Sequence, residues 1–390
     1  MNEAFIVSGA RTPIGKFLGG LSALTAPQLG AVAVKEAVSR AGLKATDIEE
    51  VIMGNVIQAG VGQAPARQSA LGAGLPSTVA AFTVNKVCGS GLKAVMLAAQ
   101  AIKAGDHELI VAGGMESMSN APHLLRRARS GWKAGDATLT DAMIHDGLWC
   151  AFNGCHMGIH AEHVAKTEKV SRADQDAFSA ESHRRAAEAQ KSGAFKDEIV
   201  PVSIPRADKP LAADEGVRAE TTVQSLGALK PVFDKEGSVT AGNASTLSDG
   251  AAAVVVASGN AVKRHNLKPM ARVVAYYTSG TDPRDLFIAP AFAVEGVLKK
   301  AGLGIDDIDL FELNEAFASQ MIATARRAMV PMEKTNIHGG AVALGHPIGC
   351  SGARVLVTLL YAMKQRGAKR GLASLCLGGG NAVAMIVERV

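Results

Sequence analysis

The sequence predicts a layered α/β protein made of two similar halves that face each other, with a polar segment inserted between them. Three observations carry this. The first is an internal repeat: Ala31, Ala33, Val34, Ala41, Gly42, Leu43, Asp47 and Ile48 recur about 260 positions later, within residues 291–310. The second is a weaker echo. Ser90-Gly91 with its apolar helix and a strand ending at Gly113-Gly114 resembles Ser351-Gly352 with its helix and a strand ending at Gly379-Gly380. The third is composition: 390 residues, 48% hydrophobic but only 4% aromatic, with 42 glycines. A core rich in small residues packs helices and strands closely, as layered α/β proteins do.

Along the chain, Phe5-Ile6-Val7 reads as an opening strand, with no basic and long apolar run of the kind that makes a signal peptide. Residues 31–50 and 291–310 each show helical spacing, a glycine stop, a capping aspartate and then an apolar run suited to a buried strand. Residues 120–247 are richer in charge and turn formers; Arg172–Lys191 reads as a helix and Ile204–Pro210 as a turn-rich run. This stretch is expected to be an inserted, mostly surface domain. Gly250–Ala257 resumes a buried-strand pattern.

Composition also excludes functions. A net charge of +5 over this length is mild, and the densest basic cluster, Arg126-Arg127-Ala128-Arg129, is too short for a nucleic-acid arm. No apolar run approaches a membrane span. Five widely spaced cysteines do not form a disulfide framework, so a reducing, cytoplasmic setting is expected.

Four short stretches carry chemistry. Val84–Leu92 places Cys88 at a strand-to-helix turn, where free N–H groups and the helix dipole favour a thiolate and are able to hold an oxyanion. A buried structural cysteine fits that loop equally well. Gly339–Gly352 surrounds one good general base, His346, with loop-forming residues. Cys376 ends a strand-like run and opens the triplet Gly378-Gly379-Gly380, a candidate anion nest. Asn314-Glu315 follows a buried strand, a common position for catalytic groups in α/β folds. The group Cys150, Cys155, His156, His160 and His163 invites a zinc reading, but it lacks Cys-x-x-Cys and His-Glu-x-x-His spacing, so no metal is expected.

Together, Asn85-Lys86-Val87-Cys88-Gly89-Ser90-Gly91, Asn314-Glu315-Ala316-Phe317, Gly345-His346-Pro347-Ile348-Gly349 and Cys376-Leu377-Gly378-Gly379-Gly380 closely resemble the thiolase family, and the resemblance covers essentially the whole chain. It implies a thiolase fold: two similar halves forming a five-layered αβαβα core, with a loop domain inserted in the first. The expected boundaries are 1–119 plus about 248–270, then 120–247, then 271–390. The resemblance implies acyl transfer between CoA and acetyl-CoA, most simply as an acetyl-CoA C-acetyltransferase, with a broad-range 3-ketoacyl-CoA thiolase as the alternative. Cys88 would be the nucleophile, His346 its base and Cys376 the second acid/base. Asn314 would hold a water that stabilises an enolate, and the N–H groups of Cys88 and Gly378 would bind a second oxyanion. For CoA, as substrate rather than resident cofactor, it implies Leu148, His156 and Met157 beside the pantetheine. Ser245, Ala316 and Phe317 would line the same tunnel, with Arg218 and Ser225 at the nucleotide end. A homotetramer is implied as well. The chain departs from the family at Asp282–Pro290, where Leu286 and Phe287 enter a loop near the acyl pocket, and at Cys350, which replaces a small alanine.

Overall fold

The sequence repeat is a repeat of topology. The structure is a computed structural model that describes residues 3–390; Met1 and Asn2 lie outside the described residues. The first half runs β1 (Ala4–Arg11), α1 (Ala26–Arg40), β2 (Glu50–Gly54), α2 (Pro65–Gly72), β3 (Ala80–Val84), α3 (Ser90–Ala104) and β4 (Leu109–Ser117). The intervening segment supplies α4 (Met157–Thr167) and α5 (Arg172–Ser192), and β5 (Ser248–Ser258) then returns to the sheet. Strand order is β3-β2-β4-β5-β1, with β2 parallel to β3 and β4, and β5 antiparallel to β4 and β1.

The second half runs β6 (Ala271–Gly280), α6 (Ala289–Ala301), β7 (Leu310–Leu313), α7 (Ala318–Ala328), α8 (Ile348–Arg366), β8 (Arg370–Leu377) and β9 (Asn381–Glu388). Its order is β7-β8-β9-β6, with β7 parallel to β8 and β9 antiparallel to β8 and β6. The counterpart of β3 shrinks to one parallel bridge, Phe311 to Thr335. The sheets join where Phe5 and Ile6 of β1 pair with Arg272 and Ala271 of β6.

Side-chain alternation sets the layers. In β4 and β5 every residue is buried, as expected for strands covered on both faces. Ile110, Ala112, Val254 and Val256 join a core with Leu92 and Val95 of α3 and Val355 and Leu356 of α8. Their neighbours Leu109, Val111, Val255 and Ala257 join Leu29, Ala33, Val34 and Ala37 of α1. Helices α3 and α8 thus form the middle layer between two sheets, with α1 and α2 outside one sheet and α6 and α7 outside the other. The middle helices cross at the echoed glycines. A Cβ on Gly91 would lie 2.6 Å from the Ala353 nitrogen, and one on Gly352 would run into the Leu92 nitrogen. Side chains at these two sites would force the halves apart. The first strand of the echo, expected to end at Gly113-Gly114, continues to Ser117, while Gly379-Gly380 occupy the turn between β8 and β9.

The segment expected to lie mostly on the surface does so over 126–138 and 205–210. Elsewhere it is anchored. Helix α5 buries Gln175, Asp176, Ser179, Ser182 and His183. Arg11 of β1, fully buried, pairs with Glu198 at 2.5 Å and with Asp214 at 2.7 Å. Removing Arg11 would strand two buried carboxylates, at a cost of about 3–5 kcal/mol. The segment therefore folds down onto the halves, which brings its α4 end to the site.

Candidate active site

Between β3 and α3 the chain makes an irregular turn. Val87 adopts φ 47°, unusual for a β-branched residue. The turn is held from both sides: Asn85 Oδ1 accepts from the Val87 nitrogen at 3.1 Å, and Ser90 Oγ accepts from the Lys86 nitrogen at 2.8 Å while donating to the Val87 carbonyl at 2.6 Å. This leaves Cys88 one residue before Gly89, the N-cap of α3. The sequence leaves a thiolate and a buried structural thiol equally open here; the structure weighs against the thiolate. Burial pushes the Cys88 thiol up to about 12. The N–H groups of Gly378 and of Cys88 itself reach the sulfur and pull the other way, while nearby Glu116 adds to the rise. Desolvation outweighs the helix terminus because the charged form has lost its water.

His346 stands just before α8 and is buried. Its Nδ1 lies 2.6 Å from Ser351 Oγ, which in turn donates to the Pro347 carbonyl at 2.9 Å. A serine has one hydrogen to give, so it accepts from the imidazole Nδ1–H. That leaves Nε2 bare. Burial, reinforced by Arg354, pulls His346 down to about 3, so the ring is a neutral base at pH 7. Asn314 Nδ2 lies 3.4 Å from Nε2, and Asn314 Oδ1 is buried without a protein partner. Asn314 and Glu315 occupy the loop between β7 and α7. Glu315 ties that loop down, accepting from Ser182 Oγ, Asn336 Nδ2 and the Val342 nitrogen at 2.7, 2.8 and 3.1 Å.

Cys376 lies near the end of β8, and burial raises its thiol well above the ordinary range, with Cys88 adding to the rise. The two sulfurs are close enough that ionising one opposes ionising the other. Cys350, by contrast, is fully buried in the core and its thiol is pushed up to about 12 by burial.

Cys88, His346, Cys376 and Gly378 all face one cavity of about 450 Å³ with mostly apolar walls. Leu148, His156, Met157, Ser245, Ala316 and Phe317 line the same cavity. Ser245 is pinned to the Ala316 carbonyl through its nitrogen at 3.0 Å and its hydroxyl at 2.9 Å. His156 caps α4 by accepting from the Gly158 nitrogen at 3.0 Å. Arg218 and Ser225 do not reach the cavity wall; both are exposed on the inserted segment, and the Ser225 hydroxyl donates to the Thr222 carbonyl. The cysteine–histidine group of residues 150–163 does not converge on a metal site, and no group of three ligating side chains does so among the described residues.

Sequence reasoning missed Phe233, which stacks on His156 with ring centroids 4.8 Å apart, and the role of Ser351 as partner of His346. Phe233 sits in a turn-rich stretch with no periodicity to mark it. Ser351 was visible, since a helix N-terminal serine within five residues of a catalytic-type histidine is within hydrogen-bonding reach. Leu286 and Phe287 do line the cavity, in the short turn Pro283–Ile288, with Phe287 edge-on to Phe317 at 5.3 Å.

Comparison with known proteins agrees with this geometry. Residues 4–260 match the thiolase N-terminal domain and residues 267–389 the thiolase C-terminal domain. The chain is 54% identical to an acetyl-CoA acetyltransferase of Cupriavidus necator and 52% identical to one of Escherichia coli, each over 100% of both chains. It superposes with a TM-score of 0.98 on the crystal structure of a Bacillus anthracis acetyl-CoA acetyltransferase, at 40% identity, covering 100% of this chain and 99% of that one. With both family domains matched in order and two cysteines, a histidine and an asparagine gathered where the halves meet, the chain belongs to the thiolase family.

Proposed function

We propose that this chain is an acetyl-CoA C-acetyltransferase. It joins two acetyl-CoA units through an acetyl thioester on Cys88, and cleaves acetoacetyl-CoA with CoA in reverse. The observation that supports it most is that the half-buried Cys88 thiol and a neutral imidazole whose Nε2 carries no hydrogen line the same apolar cavity. Cys88 attacks the thioester carbonyl as His346 takes its proton, and the departing CoA sulfur receives that proton. The N–H groups of Cys88 and Gly378 hold the developing oxyanion. Cys376 then exchanges a proton with the α-carbon of the second acetyl-CoA. Asn314 and His346 serve the enolate oxygen.

CoA enters as substrate along Leu148, His156, Met157, Ser245, Ala316 and Phe317, with segment 120–247 as the CoA-binding insertion. Arg218 and Ser225 would meet the nucleotide end outside the cavity; Ser225 adjoins Leu226, which packs against Gly242 beside the cavity residues Thr240 and Ala241. Leu286, Phe287 and Phe317 line the apolar interior, where they would shape the acyl pocket. Initial rates of CoA-dependent cleavage with acetoacetyl-CoA and a long-chain 3-oxoacyl-CoA test this. Cleavage of the short substrate alone is expected. Comparable cleavage of the long one would make the chain a broad-range 3-ketoacyl-CoA thiolase instead, and cleavage of neither would sink the proposal.

We also infer a homotetramer. The ribbon His123–Leu125 with Leu139–Asp141 exposes Leu125, Trp132 and Leu139, apolar groups that association would cover. Light scattering that returned a monomer mass would refute it. Five unpaired cysteines suit a reducing, cytoplasmic setting. No helix among the described residues is long and apolar enough to cross a membrane.

A further inference from the structure

We propose that Cys150 and Cys155 form a reversible disulfide, making the hairpin beside the cavity an oxidant-sensitive modification site separate from Cys88. Strand pair Trp149–Cys150 and Cys155–His156 is antiparallel, and its register sets Cys150 directly opposite Cys155. Opposed residues in such a ladder have Cα atoms about 4.5–5.5 Å apart, within the roughly 4.4–6.8 Å that a disulfide spans. The turn is closed by the Gly154 nitrogen donating to the Cys150 carbonyl at 2.9 Å. Cross-linking therefore needs no refolding.

Cys155 also has a base. Its sulfur lies 3.5 Å from His160 Nε2, and His160 Nδ1 lies 3.2 Å from the Arg284 carbonyl. A carbonyl only accepts, so Nδ1 carries the hydrogen and Nε2 of the neutral ring accepts from the thiol. Burial lowers His160 and raises Cys155, so the resting pair is imidazole and thiol. Cys155 is half-buried and Cys150 buried, so a small oxidant meets Cys155 first. Hydrogen peroxide oxidises the Cys155 thiol to a sulfenic acid, releasing one water. His160 takes the thiol proton and returns it to the departing hydroxide. The Cys150 sulfur then displaces the sulfenic oxygen, which leaves as a second water carrying the Cys150 proton. Two thiols are oxidised by two electrons and one peroxide is reduced.

Closure has a consequence for the cavity, and this part rests on the CoA reading above. Opposed Cβ atoms sit about 4.5–5.5 Å apart, against roughly 3.5–4.5 Å in a relaxed disulfide, so the strands are drawn together by on the order of an ångström. Leu148 precedes the ladder, His156 ends it, and both line the cavity. Phe152 at the hairpin tip lies against Gly379, 3.4 Å from a Cβ built there.

The full chain, treated with hydrogen peroxide, alkylated with iodoacetamide and digested with trypsin without reduction, yields residues 134–166 as one peptide holding both cysteines. It is expected two hydrogens lighter and unalkylated, and restored by dithiothreitol. In a Cys150→Ser variant, Cys155 is expected as the sulfenic acid instead. Full alkylation of both cysteines at a peroxide dose that oxidises Cys88 would overturn the site. In a Cys88→Ala protein, oxidation should weaken acetyl-CoA binding by about fivefold, the loss of one ordinary contact. Dithiothreitol should reverse this and Cys150→Ser should abolish it; unchanged affinity with the disulfide present would overturn the link to the cavity. Reduced protein that binds no acetyl-CoA would speak against the proposed function, and leave the mass result to decide the disulfide.

Discussion

Ser90 and Ser351 hold the same place in the two halves, each beside a glycine where the middle helices cross, yet they do different things. Ser90 Oγ accepts from the Lys86 nitrogen and donates to the Val87 carbonyl, locking an unwound turn. Ser351 Oγ donates to the Pro347 carbonyl and accepts from His346 Nδ1. The difference is one turn of helix. Helix α3 begins at Ser90, but α8 begins at Ile348, three residues before Ser351. Counting back from the serines, Cys88 corresponds to Gly349, whose nitrogen donates to the buried carboxyl of Glu116 at 2.9 Å. The strand ends differ in the same way. The Glu49 nitrogen bonds the Leu109 carbonyl as that of Asp309 bonds the Arg370 carbonyl, and five residues on stand Gly54 and Asn314. Gly54 is packed against Ser90 and Gly91, leaving no room for a side chain, while Asn314 reaches His346. On the mechanism proposed above, one half supplies the nucleophile and the other supplies the groups that serve it.

If that division is right, Cys88→Ala removes all acyl transfer that depends on the first half. Thiolysis of acetoacetyl-CoA should fall by about 10⁴-fold or more, with the melting temperature unchanged within error. Residual burst-phase acylation in that protein would break the comparison. Asn314→Ala should lower kcat by roughly 10²–10³-fold with little change in Cys88 acylation, because it serves the enolate rather than the nucleophile. Single-turnover acylation measured beside steady-state condensation separates the two steps.

Ser351→Ala should lower kcat by about 10–100-fold, since Nδ1–H loses its acceptor and the ring its orientation. Partial recovery with Ser351→Thr, which keeps the hydroxyl, distinguishes orientation from packing. The pH dependence of Cys88 follows from its raised thiol. The thiolate fraction should grow tenfold per pH unit and not level near the ordinary value of about 8.5. Iodoacetamide labelling of Cys88, followed by mass from pH 6 upward, should therefore climb throughout; a plateau near neutrality would show a preformed thiolate. Ser90→Ala should act mainly on stability, by about 1–2 kcal/mol, because the half-buried Lys86 N–H loses its acceptor. A denaturant midpoint that did not move would mean the turn is held by other contacts.

Between a thiolate and a protonated thiol at Cys88 the sequence left the balance open, and the structure favours the thiol for a reason the sequence hides. A helix N-terminus is visible as Gly-Ser-Gly before an apolar run, but desolvation depends on what packs around the cysteine, and that cluster draws Val56, Ile57, Met118, Ala142, Met143 and Ile348 from four separate parts of the chain. Arg218 and Ser225 show the converse. Their motif context is local, so resemblance placed them in sequence, while the wall of the cavity was built from other elements. Phe233 was invisible because a stacking partner in a turn leaves no periodicity.

The sequence by itself determined the two-half plan and the buried strands and marked Cys88, Asn314, His346 and Cys376 as candidates, because repeats, alternation and glycine-bounded loops are local patterns; their roles came from the resemblance to the thiolase family. Only the tertiary structure decided which imidazole nitrogen is bare, that the resting thiol is protonated, and that Ser90 and Ser351 diverge in role. Those properties depend on burial and on hydrogen-bond partners drawn from distant segments, and no window of sequence contains both partners.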